Sequence, residues 1–130
     1  MDALQKRLQD CLALAEALCR ALRDEAGRLG FDADALAGVD VLGAEFQLQT
    51  DPASGDEGLL GEWFDRHRYR VGMLLFHADG SFFAEHDIVR PHPGNPRLFV
   101  EAVEAWGRGD DIRCEARLMP MIDESAAADA

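Results

Sequence analysis

The sequence predicts an α+β fold: an antiparallel sheet of about four strands, a long N-terminal helix and a second helix before the last strand, in the order α-β-β-β-α-β. Three observations carry this. Residues 2 to about 29 repeat their apolar positions at helical spacing. An Asp79-Gly80 pair separates two strand-like runs, the strongest short hairpin signal. Residues 112–119 alternate apolar and charged side chains, the period of a strand with one face buried.

The first helix is marked by Leu4, Leu8, Cys11, Ala15, Leu18 and Leu22, widened by Leu12, Leu14 and Cys19 and continued by Ala26 and Leu29. This stripe is broader than a coiled-coil seam and suits a helix lying on a sheet. Gly30 is the expected stop. At about 1.5 Å per residue the helix is about 42 Å long, as long as the whole domain, so an overhanging end would call for a second copy of the chain. Residues 31–43 read as a connector. In AEFQLQT (44–50), Phe46 and Leu48 alternate with Glu45, Gln47 and Gln49, a half-buried strand. Residues 51–58 are a loop by composition, and 59–67 fit either a short helix or the start of the next strand. Runs 69–77 and 81–90 form the hairpin. The prolines of residues 90–96 fit neither strand nor helix. Asn95 and Pro96 then read as N-cap and first residue of the second helix, with Phe99, Ala102, Val103 and Trp106 on its buried face and Gly107 and Gly109 ending it. In the last strand Ile112, Cys114, Ala116 and Leu118 face inward. The expected organisation is one domain over 1–120 and a flexible acidic tail over 121–130.

The net charge of −12, spread along the chain, is unfavourable for nucleic acid or anionic lipid. No run is long and apolar enough to cross a membrane, and the mixed charges of the first ten residues resemble neither a signal nor a transit peptide. The expected location is the cytoplasm. An odd count of three cysteines fits a reducing compartment. Cys11 and Cys19 would lie about 12 Å apart on one helix, beyond the ~7 Å between Cα atoms that a disulfide allows.

The chemistry-bearing candidates divide on geometry. With a two-residue Asp79-Gly80 turn, His77 and His86 share a face about 13 Å apart; with a three-residue loop Ala78–Gly80 they point to opposite faces. Neither arrangement lets both bind one metal ion, and no metal or other cofactor is expected. Glu85 and Asp87 share a strand face about 6.6 Å apart, a spacing usable for acid–base work if one were desolvated, but Arg70 and Arg90 are near enough to neutralise them. Cys114 alternates in phase with inward residues and reads as a buried small side chain rather than a nucleophile. The run DRHRYR (65–70) is the electrostatic anomaly of an acidic chain. As a strand it would put Arg66, Arg68 and Arg70 on one face, next to Trp63 and Phe64, a surface suited to an acidic peptide or anionic ligand.

In small size, low isoelectric point and a long first helix followed by strands, a helix and more strands, the outline resembles the export chaperones of bacterial type III secretion. That resemblance implies an acidic homodimer that binds an extended segment of a partner protein. The same order is compatible with cystatin-like or NTF2-like sheets that wrap a helix. The functional expectation is a non-catalytic protein-binding or regulatory module, chaperone-like and homodimeric, binding through Trp63, Phe64, Arg66, Arg68 and Arg70 and the sheet face beside them. The alternative is a small-molecule-binding protein or small enzyme with a pocket between sheet and helix lined by Glu85, His86 and His92.

Overall fold

A computed structural model describes residues 2–121. Helix α1 (Ala3–Leu29) is followed by a 3₁₀ turn at Ala33–Leu36 and six strands: β1 (Glu45–Thr50), β2 (Glu57–Phe64), β3 (Arg70–Phe76), β4 (Ser81–Pro91), β5 (Leu98–Arg108) and β6 (Asp111–Pro120). All six form one antiparallel sheet in chain order. The expected acidic tail lies, Met121 apart, outside the described residues.

α1 begins at a capping box in which the Asp2 carboxylate accepts from the Gln5 N–H and the Gln5 side chain accepts from the Asp2 N–H. It ends at Gly30, as the sequence indicates. The helix lies across one face of the sheet and contacts every strand. Cys11, Ala15, Leu18, Cys19, Leu22 and Ala26 are buried there against Leu59, Leu74, Phe76, Phe82, Ala84, Val100, Val103 and Ala105. Leu4, Leu8 and Leu29 also pack, partly buried, on this core, while Leu12 stays 39% exposed, so the stripe meets the sheet at both ends. The overhang that called for a second copy is absent. Leu36 and Val39 of the connector close one end of the core.

The four-strand sheet with a second helix is corrected by the structure: there are six strands, and residues 98–108 are strand β5, not a helix. The reason is a β-bulge. Val100 pairs with Leu118 but Ala102 pairs with Arg117, so Glu101 is an extra residue that reverses the phase. Val100, Val103 and Ala105 therefore join the helix-side core, while Ala102, Glu104 and Trp106 face the other way. A period of two interrupted by a bulge reproduces apolar steps of three and four. The loss of this helix also removes the element order on which the likeness to export chaperones rested.

Residues 59–67 are resolved too: β2 runs to Phe64 and the chain then turns. The β3–β4 hairpin takes the three-residue loop. Phe76 pairs with Phe82, the His77 N–H donates to the Ser81 carbonyl, and Gly80 has φ +90, a conformation glycine adopts without Cβ strain. The Asp79 carboxylate accepts from both the Ser81 hydroxyl and its N–H, which with Arg108 holds its pKa down at about 2.

Candidate functional site

The three arginines of DRHRYR do not form a stripe. Residues 65–69 are the β2–β3 turn, closed by the Asp65 carboxylate, which accepts from the N–H groups of His67 and Tyr69 at 2.8 and 3.0 Å. Arg66 projects beside His67. Arg68, in a left-handed conformation with φ 68, places its guanidinium 4.4 Å above the Phe64 ring and 2.8 Å from Glu45. Arg70 approaches Glu62 at 3.5 Å. Trp63 points to the opposite face from Phe64: it is buried in the core, and its indole N–H donates to the Asp40 carbonyl at 2.9 Å. The five residues thus divide between core and surface, and two of the arginines already have carboxylate partners.

The residues of the alternative pocket do not converge. Glu85 and His86 are neighbours on β4 and point to opposite faces. His86 lies on the helix side, 5.7 Å from the Trp63 ring, with Nδ1 2.8 Å from the Asp87 carbonyl. Gly72 makes this approach feasible, since a Cβ there would meet His86 Cδ2 at 2.7 Å. Burial lowers the His86 pKa, opposed by that backbone contact and the Asp87 charge. His92 sits in the β4–β5 loop, six residues further on, and its Nδ1 accepts from the Gly94 N–H. His77 is on the other face from His86. Among the described residues no three His, Cys, Asp or Glu side chains are grouped to hold a metal ion. The thiols are poor nucleophiles. Burial raises all three, Cys19 to about 11, and Cys114 sits against the Ala21 carbonyl of α1.

The register of the sheet brings together a different set of residues. On the face away from α1, Gln47, Leu60, Leu75, Phe83, Trp106 and Arg113 are successive cross-strand partners, one from each strand. Four of these six are large apolar side chains, and none of the four belongs to the core cluster against α1. Leu60 is 8% exposed. Leu75, Phe83 and Trp106 are half-buried.

The next row, two residues along every strand and about 6.6 Å away, is Glu45, Glu62, Met73, Glu85, Glu104 and Glu115. Five of its six members are glutamates, in direct opposition at Glu45–Glu62, Glu85–Glu104 and Glu104–Glu115. Like charges in opposed positions destabilise a sheet. Arg68 and Arg70 relieve one end. At the other end Arg117 is shared by Glu85 at 3.4 Å, Glu101 at 3.1 Å and Glu104. Partial burial works against the Arg117 charge, but bonds to Glu101 and Glu85 and the surrounding carboxylates raise its pKa overall. Asp87 adjoins the same group, and its pKa is raised by burial and by the Glu85 and Glu101 charges, against His86 and Arg117. Glu115, exposed at the β6 edge, has no cationic partner among the described residues.

The alternation of β1 and β6 was visible in the sequence, as Glu45/Gln47/Gln49 and Arg113/Glu115/Arg117. The rows were not, because they exist only across strands. A shallow cleft of about 620 Å³ lies between the β1–β2 and β3–β4 turns, lined by residues that include Asp51, Asp56, His77, Asp79 and Ser81. Within it the Ser81 hydroxyl donates to the Asp79 carboxylate at 2.6 Å, the bond that closes the β3–β4 turn. No helix of the described residues is long and apolar enough to cross a membrane. Comparison with models of known families, with curated proteins and with solved structures finds no match for this chain.

Proposed function

We propose that this chain is a non-catalytic binding module for another protein and that its working surface is the sheet face opposite α1. The observation that supports this is the apolar row Leu60–Leu75–Phe83–Trp106, continuous over four strands and apart from the core. Antiparallel sheets commonly leave one face to water, and that face is then mainly polar. A row of aromatic and aliphatic side chains on it is of the kind that marks a contact surface, and aromatic residues are enriched at the centres of protein interfaces. The dispersal of Glu85, His86 and His92 weighs against an enclosed catalytic pocket. Three free thiols, two of them buried, suit a reducing compartment, which supports a cytoplasmic setting.

The test is site-specific photo-crosslinking in cells. A photoreactive side chain at position 83 should give a discrete covalent adduct with a partner protein, and the adduct should vanish on Trp106→Asp. The same group at Arg20, on the exposed side of α1, should give none. Equal yields from the two positions, or an adduct indifferent to Trp106→Asp, would overturn the proposal.

A further inference from the structure

Resting on that reading, we infer that the partner presents a cationic amphipathic helix, its apolar side on Leu60, Leu75, Phe83 and Trp106 and its Lys or Arg flank over Glu85, Glu104 and Glu115. Charge complementarity is the first ground. The acidic row runs directly beside the apolar one, and its β4–β6 end holds more carboxylates than guanidiniums. Glu85, Glu101 and Glu104 share Arg117, while Glu115 has no cation among the described residues. Opposed glutamates cost stability in the free protein. A cationic flank laid along them turns that repulsion into attraction.

The second ground is backbone chemistry. A segment lying on the face of a sheet, rather than along its edge, cannot exchange main-chain hydrogen bonds with the strands. An extended peptide there would have its N–H and C=O groups desolvated without partners, which is costly. A helix carries its own bonds. Dimensions agree: cross-strand neighbours are about 4.8 Å apart, so the four apolar residues span about 14 Å, between two and three helical turns of 5.4 Å. The acidic row, about 6.6 Å to one side, lies where side chains on a helix flank reach. A second copy of this chain is the less suitable occupant, because it would bring another net charge of −12 to an acidic face.

The experiment uses the full chain and three synthetic helical peptides of equal length in calorimetric titration. One has Leu along one side and Lys along the flank; in the second Glu replaces Lys; in the third Ala replaces Leu. The Leu/Lys peptide should bind, at least about tenfold more tightly than either control, and about tenfold more weakly when salt shortens the Debye length from ~10 to ~3 Å. Glu85→Gln with Glu115→Gln should weaken it several-fold while the melting temperature is held or raised, which separates lost contact from lost fold. If the Leu/Lys and Leu/Glu peptides bind alike and Trp106→Asp abolishes both, the cationic partner is wrong and the apolar binding face survives. If no peptide binds and sedimentation shows a dimer broken by Trp106→Asp, a second copy occupies the face and the inference falls. If no peptide binds and the chain is a monomer, the inference falls, and the crosslink at position 83 separately decides the fate of the face.

Discussion

A methyl group at Gly72 would lie 2.7 Å from the Glu85 carbonyl oxygen and 3.0 Å from Trp63 Cε3, besides crowding His86. Gly72→Ala should therefore lose about 1–3 kcal/mol, the usual cost of forcing atoms into a packed site, measured by denaturant unfolding. His86, held over that glycine, has a folded pKa below its unfolded value of about 6.5. Between those two values the unfolded chain binds the extra proton, so this histidine's contribution is full above about pH 6.5 and declines as pH falls toward the folded pKa. Melting temperatures of the native protein and His86→Gln should converge as pH is lowered through that window. Parallel curves would show that the imidazole is not titrating there. Glu115→Gln removes one like-charge opposition with Glu104 without breaking an ion pair among the described residues, and should stabilise by a few tenths to about 1 kcal/mol. A clear loss would mean that Glu115 has a favourable partner.

At the scale of elements, β5 decides the topology. The segment LFVEAVEAWGR was open to a helical reading because its apolar positions sit three and four apart and follow an Asn-Pro helix start. Val100, Val103 and the aromatics Phe99 and Trp106 carry strand preference, but the bulge at Glu101 hid the period of two. A bulge depends on the partner strand, so nothing within the segment announces it. α1, by contrast, was fully legible, since its stripe and its terminal glycine are local features. The β3–β4 loop was half legible: Asp79-Gly80 announced a turn, and only pairing fixed its length and sent His77 and His86 to opposite faces. A double-mutant cycle at Phe83 and Trp106, directly opposed on β4 and β5, should give a coupling of about 0.5–1 kcal/mol. Residues 98–108 in a separate helix would give none.

At the scale of the whole fold, among the described residues, a single helix on one side of a six-stranded sheet buries one face and leaves the other. The sequence showed that strands would be two-faced, and the functional expectation named an exposed sheet face beside the arginines. The face is there, but the arginines are not its centre: they belong to a turn and to the pairs at one end of the acidic row. The rows themselves follow from register, which is a property of the assembled sheet. On the proposed reading this face, not the helix and not the strand edges, receives a partner. Nuclear magnetic resonance mapping of the protein with the Leu/Lys helical peptide tests it most directly. Side-chain and amide signals of Leu60, Leu75, Phe83 and Trp106 should shift together with those of Glu85 and Glu104, while the exposed side of α1 stays unchanged. Shifts confined to α1, or to the outer edges of β1 and β6, would contradict it.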